Sequence, residues 1–129
     1  MVNKTMRVLV TGDRNWHNKD RIREVLSALT DVECVIEGEA RGADTLAREV
    51  ATDLGIEVHG YHAQWDKYGR GAGPIRNRQM VTQEKPDLVI AFHNNILESK
   101  GTKDMVFFAT SRKIETRIYT ETGTFEGEV

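Results

Sequence analysis

MRVLVTG, residues 6–12, is a short valine-rich apolar run that ends on glycine, and it reads as a strand buried on both faces of a parallel sheet. The same signature returns in VECVIEG at residue 32, IEVHGYH at 56, PDLVIAFH at 86 and TRIYT at 116. Between the first two runs, NKDRIREVLSALT places Ile22, Val25, Leu26 and Leu29 at i, i+3, i+4, i+7 spacing and leaves Arg21, Arg23 and Glu24 outside, which predicts an amphipathic helix. GADTLAREVATDLG sets Ala43, Leu46, Ala47, Val50 and Leu54 on one face and stops at Gly55, a natural residue to follow a helix end. A third helix is predicted from Pro74, whose fixed φ suits the first helical position, and a fourth from near Thr102, carrying Met105, Phe108 and Ala109.

Strand alternating with helix dictates the architecture, because parallel neighbours need a crossover and right-handed crossovers dominate. The expectation is an α/β, Rossmann-like three-layer domain with a parallel sheet of about five strands in the order 3-2-1-4-5. The 129 residues fit one domain, with no internal repeat and no interdomain linker. TETGTFEGEV, residues 120–129, offers little to pack and is expected to be a mobile acidic tail.

Composition excludes several classes. With 18 basic against 20 acidic side chains and a pI near 6.1, the chain lacks the broad positive field of a protein that coats nucleic acid. Cys34, the only cysteine, sits inside an apolar run and reads as a small buried hydrophobe. No apolar window approaches a membrane span and Met1 to Arg7 has no signal-peptide core behind it, so a cytoplasmic protein without a membrane partner is expected. His17, His59, His62 and His93 show no ligand spacing, so no metal is expected; no cofactor motif appears either.

In such sheets ligands bind outside the carboxyl ends of the strands, where strand order reverses. Those segments hold the unusual residues: Gly12, Asp13 and Arg14 after the first strand, Gly38 to Thr45 after the second, and Trp65, Tyr68 and Gly73 after the third. Gly38, Arg41, Gly42, Ala43, Asp44 and Thr45 form a glycine-bordered turn feeding a helix, where free N–H groups and the helix dipole suit a phosphate. The same turn could be no more than tight chain reversal, with Asp44 set against the dipole. The Walker lysine and GxGxxG are both missing, so ordinary ATPase and dinucleotide motifs are not supported.

YGRGAGPIRNRQM, residues 68–80, packs three glycines and three arginines into thirteen positions. It reads either as a solvated loop and exposed helix or as a second wall of the crevice, with Arg76 and Asn77 facing an anion and Trp65 or Tyr68 stacking on a base. Gly101 and Thr102, after the fourth strand, open a further helix N-terminus on the same side.

TGDRNW, GEARGADTLA, WDKYGRGAGPIRNRQM, KPDLVIAF and KGTKDM resemble, in order and spacing over residues 6–119, the YspA-like branch of the SLOG superfamily, whose small members are common in phages and bacteria. Relatives by fold include the Lonely Guy phosphoribohydrolases, the molybdenum-cofactor carrier proteins and the DNA-processing A proteins. The resemblance implies a domain binding a nucleotide or nucleotide-derived molecule of the AMP or ADP-ribose kind, as a sensor or binding module, and a homodimer or larger homo-oligomer. The enzyme relatives place an arginine before the fourth strand and PGGxGTxxE after it. Arg76, Gly101 and Thr102 match that arginine and the glycine-threonine pair, whereas Met105 stands at the glutamate and HNNILESK replaces the PGG portion. The alternative function this resemblance implies is N-glycosidic cleavage of such a ligand, with Arg76 and Asp104 as catalytic candidates and Asp13, Asp44 or Asp66 as other acids within reach. A further alternative, single-strand nucleic-acid binding through Arg70, Arg76 and Arg78, is disfavoured by the acidic balance.

Overall fold

The computed structural model describes residues 5–126. Six strands form one sheet in the order β3-β2-β1-β4-β5-β6: β1 (Met6–Gly12), β2 (Val32–Glu37), β3 (Glu57–Gly60), β4 (Leu88–Phe92), β5 (Glu115–Tyr119) and β6 (Thr124–Glu126). The first five are parallel, in the expected order. Every residue of β4 is buried, as a central strand covered on both faces demands.

Strand periodicity sorts the core into two layers. Val8 and Val10 of β1 point to one face, where helix α1 (Lys19–Ala28) contributes Ile22, Val25 and Leu26 and helix α2 (Ala43–Asp53) contributes Ala43, Ala47, Val50 and Ala51. Leu9 points to the other, against Met80 and Val81 of α4 (Ala72–Glu84) and Met105 and Ala109 of α5 (Gly101–Ser111). A four-residue helix, α3 (Trp65–Tyr68), and a 3₁₀ turn at Gly69–Gly71 precede α4. The third long helix, expected from Pro74, starts two residues earlier, at Ala72, and Pro74 lies within its first turn, where its missing N–H is not needed.

The carboxyl end of the chain departs from expectation. In place of a tail, residues 124–126 form β6, antiparallel to β5, with Tyr119 opposite Thr124. Thr120 closes the reversal: its N–H donates to Gly123 O at 2.9 Å, and Gly123 N–H donates to Thr120 Oγ1 at 2.8 Å. Arg21 of α1 clamps the turn through Thr120 O and Gly123 O. Three residues are too few for an alternation signal, and the strand is placed by pairing with the edge of β5. Residues 127–129 of the expected tail lie outside the described residues.

Two tight approaches define the carboxyl end of the sheet. Gly42 has φ 76°, and a Cβ there would stand 2.4 Å from Asp13 O and 2.5 Å from the Arg14 carbonyl, so only glycine lets α2 start against the β1 loop. Gly12 is closed in the same way by Ala43 Cβ and Phe92 O.

Candidate functional site

The loops after β1, β2 and β3 and the first turns of α4 enclose an open cavity of ≈ 290 Å³. Arg14 enters from the β1 loop and Arg41 from the β2 loop, both exposed, while half-buried Arg76 reaches in from α4. Gly38, Glu39, Ala40, His62, Ala63 and Trp65 complete the wall. None of the three arginines has a carboxylate within ion-pair distance among the described residues, and Arg21, which binds elsewhere, is not one of them.

Arg76 is aimed by its surroundings. Nη1 donates to Gly38 O at 2.7 Å and Nε to Asn77 Oδ1 at 3.3 Å. Burial lowers its pKa from the ordinary value; Asp44, and more weakly Glu37, act the other way at longer range, while the neighbouring Arg14 charge adds to the lowering, so an anion placed here would relieve both the burial and the Arg14 repulsion. Gly38 supplies the room: a Cβ on it would stand 2.9 Å from Arg76 Cζ. Trp65 is 44% exposed, lies near the position a Cβ on Gly73 would take, and carries Arg14 5.8 Å from its ring centroid.

Acids near the cavity are handled separately. Glu37, fully buried at the end of β2, accepts from Arg48 Nε and Nη2, and Glu39 shares Arg48 Nη2 at 3.0 Å. Burial pushes the Glu37 carboxyl up, against the pull of Arg48. Asp44 is also buried; its Oδ2 accepts from Gly38 N at 3.1 Å and Ala40 N at 3.3 Å. Burial pushes it up to about 7, although those two bonds and Arg76 act the other way.

This changes the reading of the Gly38 to Thr45 turn. The Gly38 and Ala40 N–H groups are taken by Asp44, Glu39 N by Glu37 Oε1 and Ala43 N by Asp13 O. Thr45 spends its hydroxyl on Ala40 O. An internal carboxylate fills the place expected for a phosphate at Gly38 and Ala40, and the cavity's positive character comes from arginine side chains.

The other expected residues fall in two groups. Gly12, Gly42, Ala43 and Asp13 support the wall from behind, Asp13 turning the chain by accepting from Asn15 N at 2.9 Å. Tyr68, exposed, does not line the cavity, and neither do Gly101, Thr102 and Asp104. Asn77 links them to it: buried Nδ2 donates to Gly101 O at 3.4 Å and Asp104 Oδ2 at 3.1 Å, while Oδ1 holds Arg76. Asp104, expected as a catalytic candidate, is thus committed to the seam between α4 and α5, with Arg78 at 3.5 Å. Thr102 N is capped by Ser99 Oγ at 3.0 Å. Met105 is fully buried in the core, so a glutamate in its place would be a buried charge pointing away from the cavity. Glu39, Ala40, His62 and Ala63 were not singled out from sequence; their one signal is position, directly after the second and third strands.

At the opposite end of the sheet, Cys34, His59 and Glu84 bring donor atoms within 4.8 Å of one another. Both Glu84 oxygens are already engaged, Oε1 by His59 and Arg7 and Oε2 by Tyr61 at 2.6 Å. Arg7 is the cation of that cluster.

A family profile described as YspA, cpYpsA-related SLOG family matches residues 6–68, from β1 through α3. The gene 61 protein of Mycobacterium phage D29 is 33% identical over 97 residues, covering 67% of this chain and 75% of that protein. The chain belongs to the YspA, cpYpsA-related SLOG family. The SLOG match spans Arg14, Gly38, Arg41 and Trp65, most of the cavity wall, and stops short of Arg76. No helix among the described residues of this SLOG protein is long and apolar enough to cross a membrane.

Proposed function

We propose that the chain binds a phosphate-bearing nucleotide or nucleotide-derived ligand, of the AMP or ADP-ribose kind, in the arginine-lined cavity, and serves as a sensor or binding module. One observation carries this: Arg14, Arg41 and Arg76, from three separate segments, converge on one cavity without a carboxylate partner among the described residues. Folding rarely leaves a half-buried guanidinium unpaired unless something else supplies the charge. The planar fork of arginine suits phosphate oxygens, and exposed Trp65 offers a face for a base. SLOG membership supports a nucleotide-related ligand.

Binding is favoured over N-glycosidic cleavage because the residue at the enzymes' glutamate position, Met105, is core and Asp104 is tied to Asn77. Affinity without acceleration follows when binding groups persist and the group serving the transition state does not. Calorimetric titration with AMP and ADP-ribose, alongside chromatography for released base, tests both points. Binding without free base is the expected result; failure of both ligands to bind, or efficient base release, would overturn the reading.

A further inference from the structure

Asp44 is the buried acid behind the cavity that has no cation in ion-pair contact among the described residues, whereas Glu37 has Arg48. Both backbone bonds go to Oδ2, so a proton can sit on Oδ1 without breaking either. Protonation therefore requires neither bond to break, and what it removes is one negative charge beside an anion site.

The groups facing Asp44 divide by sign. From β2, Glu37 adds like charge, offset by Arg48 of α2; from α4, Arg76 favours the ionised form. Glu39, His62, Arg14 and Arg41 stand around the cavity, with Glu39 also bonded to Arg48. Burial opposes the ionised form most strongly and sets the balance close to neutrality, at about 7. An anion seated on Arg14, Arg41 and Arg76 competes for the field of Arg76 and brings like charge toward Asp44. Both effects favour the neutral carboxyl.

We propose that the cavity takes up its anionic ligand together with one proton, carried by Asp44. This rests on the reading of the cavity as a site for a phosphate-bearing nucleotide-derived ligand. Its consequence is a sensor whose affinity falls as pH rises through neutrality, because ligand binding raises a carboxyl pKa that already lies near 7 in the free protein.

ADP-ribose is the probe, since its diphosphate has no ionisation near neutrality to confuse the count. For one pKa unit of coupling, titration calorimetry at about pH 7.5 in buffers of different ionisation enthalpy should show net uptake of about half a proton, and affinity should weaken about sixfold between roughly pH 6.5 and pH 8.5, towards the tenfold limit that one unit sets. Asp44→Asn keeps an oxygen for the Gly38 and Ala40 N–H groups but removes the charge. It should take up no proton, lose the pH dependence and bind more tightly than wild type at the alkaline end. His62→Gln, which removes the histidine of the cavity wall, should leave the uptake intact. Zero uptake by the wild type, uptake that survives in Asp44→Asn, or uptake lost in His62→Gln overturns the proposal. The wild-type proton count requires no variant, so a poorly folding Asp44→Asn does not shelter it. Binding without proton uptake overturns this inference alone, whereas no binding at any pH overturns the ligand reading with it.

Discussion

At the amino end of the sheet, Arg7 reaches both Glu33 and Glu84, and Glu84 is further bonded by His59 and Tyr61. At the carboxyl end, Arg14, Arg41 and Arg76 meet in a cavity with no acid paired to them among the described residues. Residue types are shared, but the accounting differs. In the first cluster each charge answers another, and Arg7 Nε also takes Glu84 O at 2.7 Å, so the end of α4 is pinned to β1. In the second, nearby acids are diverted, Glu37 and Glu39 to Arg48 and Asp44 to backbone N–H groups, which leaves positive charge over. A charged cluster that closes on itself supports the fold; one that folding leaves open points to a ligand.

Arg76→Ala should break this contrast most visibly. Losing a charge-assisted bond to the ligand is expected to cost about 1.5–3 kcal/mol of binding, roughly ten- to a hundredfold in affinity. Thermal stability should fall modestly, by about 1 kcal/mol, because Gly38 O and Asn77 Oδ1 lose their donor, so affinity is measured where the variant is fully folded. Unchanged affinity in a folded variant would remove Arg76 from the site.

Glu84→Ala is the mirror experiment at the other end. It strands the bonds from Arg7, His59 and Tyr61, so unfolding in urea should show a loss of about 1–2 kcal/mol, while ligand affinity stays at the wild-type value. A fall in affinity without loss of stability would invert the assignment of the two ends.

Gly38→Ala sharpens the contrast within the cavity. The added Cβ would stand 2.9 Å from Arg76 Cζ and Nε, so the guanidinium must shift. An overpacking cost of roughly 1 kcal/mol, about fivefold in affinity, is expected, and it should vanish in an Arg76→Ala background. Equal effects in both backgrounds would mean that Gly38 acts on something other than Arg76.

The smallest effect lies in the pH profile of stability. His59 is raised above its ordinary 6.5, first by its hydrogen bond to Glu84, so its contribution is full below that value and fades as pH rises through the folded value. Burial alone would raise Glu84, but bonds from Tyr61 and His59 and the Arg7 charge hold it below its ordinary 4.5, so its contribution is present above that value and is lost as pH falls through the folded value. Urea midpoints should therefore peak between these two limits, and Glu84→Gln should flatten the profile on both sides. A profile unchanged by Glu84→Gln would separate the cluster from stability.

The fold was legible because it rests on local periodicity. Five apolar runs and the helices between them state which faces must be buried, and crossover handedness leaves few ways to arrange them. Positions after strand ends were legible for the same reason, and Arg14, Gly38, Arg41, Trp65 and Arg76 do share a cavity. β6 was not legible, because a three-residue strand takes its bonds from β5 and its turn from Arg21, about a hundred residues away.

What the sequence by itself determined is the layered α/β domain, the strand order and the loops in which chemistry can lie, all consequences of hydrophobic spacing and chain connectivity. Tertiary structure alone decided which charges are spent and which are left. Asp44 turns back onto Gly38 and Ala40, Asp104 is taken up by Asn77, and Met105 enters the core. Each outcome depends on partners distant in sequence or on the exact turn of a loop, and electrostatic pairing falls off over a few ångströms, so no spacing rule along the chain can report it.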